Sequence, residues 1–158
     1  METKKGGPKD VFFHLLAILT LYVAAANFIT LIFQFINISI PDPLNPYEYE
    51  LEAAHTLLRW AISSLIVVFP AYVGTTWFLN KAYSADPAKR NLRIRRWLIY
   101  FTLFVAALII LGDLVTLVYN LLGGDFTSRF ILKTLTILFV AGSIFWYYLA
   151  DIRKHKIE

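Results

Sequence analysis

The sequence predicts an all-α, polytopic membrane protein: four transmembrane helices in an up-down bundle, with both termini cytoplasmic. Three observations lead there. Hydrophobic residues fill 58% of 158 positions and the mean hydropathy is +0.60, more apolar material than a soluble core of this size hides. The chain contains four apolar runs, each near the length of about 20 residues that crosses a bilayer as a helix. Lysine and arginine gather at alternate ends of those runs. Helices are required because lipid offers no hydrogen bonds to an open backbone.

One domain is expected over residues 1–158, with helices at about 11–36, 55–80, 95–122 and 129–151. The first run admits a rival reading. Lys4 and Lys5, an apolar stretch and then Ala24-Ala25-Ala26 imitate a secretory signal and its cleavage site. The chain stays apolar beyond the triplet, through "NFITLIFQF", so the segment is expected to remain as an anchor. Ahead of the second run, Asn45 followed by Pro46 reads as an N-cap and a first-turn proline. That helix therefore starts in the interface, with Glu48, Glu52, His55 and Arg59 on one face. The spacing allows Glu52 to pair with His55 or Arg59, although a solvated face explains all four. Pro70 removes a mid-span hydrogen bond and predicts a kink.

Orientation follows from the short loops. Lys4, Lys5 and Lys9 precede the first run, Lys81, Lys89, Arg90, Arg93, Arg95 and Arg96 lie between the second and third, and Arg153, Lys154 and Lys156 follow the fourth. These three faces are assigned to the inside. The segment "PDPLNPYEYELEAAHT" carries Asp42, Glu48, Glu50 and Glu52 with no lysine or arginine, and is assigned outside with "GGDFTSR". Trp77, Trp97, Tyr100, Trp146, Tyr147 and Tyr148 fall near the inner boundary, and Tyr47, Tyr49 and Trp60 near the outer one, as interfacial belts. The localisation that results is a multi-pass protein of the plasma (inner) membrane. Orientation alone explains the basic loop; contact of Lys89, Arg90, Arg93, Arg95 and Arg96 with anionic lipid headgroups is the sharper reading.

Asp113 is the strongest functional candidate. It lies sixteen residues beyond Trp97, about 24 Å from the inner edge, and nine before Leu122, about 13 Å from the outer one. A free carboxylate at that depth costs at least about 2.5 kcal/mol, so pairing, hydrogen bonding or protonation is required. Arg59 and Lys133 have the right charge, but their side chains lean outward while that of Asp113 leans inward. Asn27 reaches the same height with a short amide donor.

Polar residues recur at helical spacing on every run: Thr20, Asn27, Thr30, Gln34 and Asn37; His55, Arg59 and Ser63; Asp113, Thr116 and Asn120; Arg129, Lys133 and Thr136. The economical arrangement is an outward-facing polar pocket containing Asn27, Gln34, Arg59, Asp113, Thr116, Asn120, Arg129 and Lys133. It serves as a ligand or proton site, or only as polar glue between helices. Gly112, Ala106, Ala107, Ala141 and Gly142 are expected to let the backbones approach below it.

The stretch "ADPAKRNLRIRRWLIYFTLFVAALIILGDLVTLVYNLLGGDFTSRFILK" with the closing "YYLADIRK" resembles an uncharacterised family of small bacterial four-helix integral membrane proteins, known only as a domain of unknown function. The resemblance covers roughly Leu57 to Lys154, and "GDLVTLVYNLLGG", Arg129 and Lys133 carry most of it. It implies the four-span fold and supplies no activity.

Other classes of function find little support. With no cysteine, disulfides, thiolate metal sites and cysteine redox chemistry are excluded. No phosphate loop, zinc-type histidine pair or nucleophile elbow occurs, and His14, His55 and His155 are not paired at common depths as stacked haems require. No cofactor, metal or nucleic-acid partner is expected; the net charge of +4 belongs to the membrane flanks. Catalysis by Asp113 alone, as a proton acceptor, is conceivable. The main alternative is a non-catalytic accessory or structural subunit docked against another membrane protein or a second copy. A transporter needs such assembly, since four spans show no inverted repeat.

Overall fold

The computed structural model describes residues 7–40, 47–124 and 127–155. Four helices account for nearly all of them: α1 (Pro8–Ser39), α2 (Tyr47–Ala85), α3 (Arg93–Gly123) and α4 (Ser128–His155). A 3-10 turn, Pro87–Asn91, joins α2 to α3. Each helix contains a segment long and apolar enough to cross a membrane, and each runs past the expected bounds by one to eight residues at its ends.

Local chemistry sets the ends. Pro8 opens α1 with its fixed φ, and the Asp10 carboxylate accepts the Gly7 amide at 3.3 Å, occupying one of the donors a helix start leaves open. Asp86 does the same for the 3-10 turn, accepting from Ala88 N at 3.2 Å. α3 stops at Gly124, whose φ of 78° is left-handed and lets its amide reach Leu121 O at 3.3 Å. α2 runs unbroken through Pro70. The Asn45–Pro46 cap expected before α2 lies outside the described residues, as do Lys4, Lys5, Lys156 and the Asp125–Phe126 part of the outer turn.

Cross-helix contacts fix the arrangement. His14 near the start of α1 meets Tyr83 near the end of α2, and Phe13 stacks on Phe78 at 4.5 Å, so these two helices run antiparallel. Arg95 at the start of α3 meets Asp151 at the end of α4, which makes them antiparallel as well. The Arg129 side chain donates to Asn37 O at 3.3 Å, which brings the start of α4 to the end of α1. One end of the bundle, here the basal end, therefore collects the start of α1, the end of α2, the 3-10 turn, the start of α3 and the end of α4. Among the described residues α2 packs along α1 without close backbone approach to α3 or α4, while α1 touches both. Ala54 and Ala61, 2% and 0% exposed and seven apart, are small enough to seat α2 closely.

Of the small residues expected at the interfaces, Ala106 and Ala141 are buried at 4% and 5% exposure. Gly112 is exposed with open space where a Cβ would stand, so it seats no neighbouring backbone. Outside the bundle Trp60, Ile66, Val67, Trp77, Phe104, Phe139 and Trp146 are more than half exposed. A soluble protein rarely carries so much contiguous apolar surface; a lipid-facing one requires it.

Candidate functional site

The basal end gathers polar side chains from all four helices around a cavity of about 100 Å³. His14 comes from α1, Tyr72, Thr76, Asn80 and Tyr83 from α2, Arg95 from α3, and Tyr147, Tyr148 and Asp151 from α4. Each helix has a turn here with its side chains toward the bundle axis, which is why residues 69 and 56 positions apart come into hydrogen-bond range.

The hydrogen bonds have a definite sense. His14 Nδ1 lies 2.7 Å from Asp10 O, and a carbonyl oxygen only accepts, so Nδ1 carries the proton. In the neutral ring Nε2 is then an acceptor, and the Tyr83 hydroxyl at 2.6 Å donates to it. The Tyr83 ring lies beneath the Arg95 guanidinium, 5.3 Å from Cζ to centroid, and Arg95 NH2 reaches Asp151 Oδ2 at 2.5 Å. Imidazole, phenol, guanidinium and carboxylate thus form one chain across the bundle. His14 and Arg95 are 4% and 8% exposed, and Asp151 is half-buried beside them. At the rim Lys89 pairs with Asp10 at 3.4 Å, tying the 3-10 turn to the start of α1.

A second cavity begins one turn farther from the basal end. It is about 270 Å³ and lies between α1, α3 and α4, lined by Tyr22, Ala25, Ala26, Ile29, Thr102, Val105, Ala106, Ile109, Val140, Ala141 and Ile144. At its base the hydroxyls of Tyr22 and Thr102 meet at 2.7 Å.

The residues expected around Asp113 are placed differently from one another. Gln34 accepts the Asn37 amide at 3.1 Å, Arg129 donates to Asn37 O, and Lys133 Nζ stands 5.4 Å over the Phe33 ring, so the end of α1 and the start of α4 do share a polar seam. Asn27 donates to Val23 O of its own helix at 2.8 Å rather than to Asp113. Thr116 and Asn120 bond within α3, to Gly112 O at 3.0 Å and Thr116 O at 2.8 Å. Arg59 is exposed on α2, and α1 is the helix α2 packs on, so Arg59 does not reach Asp113. Asp113 itself is 9% exposed, with Oδ2 buried and without a hydrogen-bond partner. Glu52, His55 and Arg59 are exposed on α2, and the side chain of Glu48 lies outside the described residues.

The basic loop divides too. Arg93 is exposed and Arg96 half-buried, whereas Arg95, expected at lipid headgroups, turns inward to Asp151 because the first turn of α3 points that position at the bundle axis. The side chain of Arg90 lies outside the described residues. His14, Tyr83 and Asp151 were not singled out by the sequence reading. Their signal was present: a histidine, a tyrosine, an arginine and an aspartate, one at the basal end of each apolar run.

The fold and site define a four-helix bundle with a polar chamber at one end and an apolar slot beside it. The chain belongs to the family described as Domain of unknown function (DUF5671), which it matches over residues 10–148. The match takes in α1 as well as the region from Leu57 onward where the resemblance was read. No curated protein and no solved structure matches the chain.

Proposed function

We propose that this protein is a polytopic membrane protein that binds a small polar group in the chamber at its basal end, with that end and both termini in the cytoplasm. The distribution of lysine and arginine supports the orientation. One observation carries the binding role: the Arg95–Asp151 pair, with Arg95 buried and Asp151 half-buried, lines a chamber walled by polar side chains of all four helices. An ion pair withdrawn from water is often no more stable than well-packed apolar residues in its place. A bundle that needed only cohesion gains little from such a pair. A ligand that hydrogen-bonds to Tyr83, Asn80 or Thr76 beside the pair gives the arrangement a use.

Mass spectrometry of the intact protein, released from mild detergent, tests this. A small molecule is expected on the wild type and not on Thr76→Trp, which fills the chamber from its wall; identical bare masses for both overturn the reading. Orientation is checked by placing single cysteines in the naturally cysteine-free chain. On intact cells an impermeant maleimide is expected to label Thr127→Cys and not Ser84→Cys; the reverse pattern inverts the topology.

A second reading keeps Asp113 as a proton site, favoured by its buried, unpartnered Oδ2. It predicts pH-dependent stability that Asp113→Asn abolishes, and an unchanged profile in that variant rejects it. The accessory-subunit reading draws on α2, held through α1 with its aromatic outer face exposed; co-purification of a partner from native membranes tests it. In either case Arg93 and Arg96 sit where anionic headgroups are met.

A further inference from the structure

The apolar slot lies directly beyond the polar chamber, and the order of the two along the bundle has chemical meaning. Measured along the helices, the chamber occupies the turns around His14, Leu98 and Tyr148, and the slot the next two turns, from Tyr22 to Ile29, Thr102 to Ile109 and Ile144 to Val140. Seven residues of helix give the slot a length of about 10 Å. Its walls are aliphatic apart from the Tyr22 and Thr102 hydroxyls at its basal end, and those satisfy each other. Three alanines, Ala25, Ala106 and Ala141, make it by standing where larger side chains would close it.

We propose that the slot holds the single hydrocarbon chain of an amphiphile whose small hydrogen-bonding head, a carboxyl or hydroxyl group, stands in the chamber. This rests on the binding role given to the chamber above. The sizes select the occupant. An apolar cavity of about 150 Å³ takes benzene, so 270 Å³ takes roughly ten carbons, one chain and not two. A chamber of about 100 Å³ takes a head of a few heavy atoms and excludes a phosphodiester headgroup. The aromatic positions Trp77, Trp97 and Trp146, all more than half exposed, lie at the level of the chamber. They set the head at the interface and the chain in the adjoining leaflet, the posture an amphiphile already has in a bilayer. Transfer from lipid gives the chain no hydrophobic gain, so selectivity comes from the fit of the slot and from hydrogen bonds to the head.

The experiment adds decanoic acid to the purified full-length protein in detergent micelles and counts bound molecules by native mass spectrometry, with the unfolding midpoint recorded in parallel. One saturable molecule is expected. Decanol is expected to compete and dioleoyl phosphatidylcholine not to. Ala141→Phe closes the slot from α4 and is expected to weaken binding at least tenfold. Should it fail to fold, Ile109→Trp at the half-exposed rim narrows the same space with little demand on packing and carries the same expectation. Binding that is non-saturable, or equally displaced by the two-chain lipid, shows annular lipid only and overturns the proposal. Binding lost in Thr76→Trp but untouched by both slot variants removes the chain from the slot and leaves the chamber standing. Binding lost in the slot variants but untouched by Thr76→Trp removes the head from the chamber, and with it both assignments.

Discussion

The two ends of this bundle hold similar stocks of polar and charged side chains and use them differently. At the basal end they bond across helices: His14 to Tyr83, Arg95 to Asp151, with Tyr83 stacked between. Toward the other end, most bond within their own helix. Asn27, Thr30, Ser63, Thr116, Asn120 and Thr136 each donate to the carbonyl four residues back. A short polar side chain in an apolar helix can always satisfy itself this way, so its presence implies no partner. An arginine and a tyrosine hydroxyl cannot, and a histidine that bonds the carbonyl four residues back still has its second ring nitrogen to place, so these are the groups that cross the bundle. The reach of the side chain, more than its polarity, decides which residues knit helices together.

The largest effect that would break this contrast is at the ion pair. Arg95→Leu leaves the half-buried Asp151 opposite an apolar group and is expected to destabilise the protein by about 2 to 3 kcal/mol. The double variant Arg95→Leu/Asp151→Leu is expected to recover most of that loss. Chemical unfolding in detergent reads both, and equal stabilities for single and double variants would show the pair to be decorative. A smaller loss, about 1 to 2 kcal/mol, is expected from Tyr83→Phe, which keeps the ring under Arg95 and strips the proton donor from His14 Nε2. Combined with His14→Leu, the Tyr83 change should cost little further, because the acceptor has gone too. The smallest effects belong to the other end. Thr116→Ala on the exposed face of α3 should shift stability by no more than about 0.5 kcal/mol, since it removes only a bond within one helix. A loss comparable to that of Tyr83→Phe would mean that the outer polar stripes act between helices after all.

Much of the fold was legible in the residues. Apolar length marked four helices, and the structure extends them by a turn or so where Pro8, Asp86 and Gly124 set the ends. The candidate site was legible in kind but misplaced. Asp113 drew attention because a carboxylate inside an apolar run is conspicuous, whereas Arg95 stood among five other basic residues between two runs and read as part of a cytoplasmic flank. Its burial depends on the phase of α3 around its axis, a quantity no count of lysines and arginines contains. The same holds for Gly112, whose expected packing role vanishes because its face of α3 is exposed.

By itself, then, the sequence determined the number of helices, their lengths, the family and the uneven distribution of charge along the chain. Each of these follows from local composition, which lipid and helix geometry read residue by residue. The tertiary structure alone decided which helices touch, that α2 is held through α1, and that one histidine, one tyrosine, one arginine and one aspartate converge on one chamber. Those depend on helix rotation and neighbour choice, set by the packing of small residues such as Ala54, Ala61, Ala106 and Ala141 against partners far away in the chain.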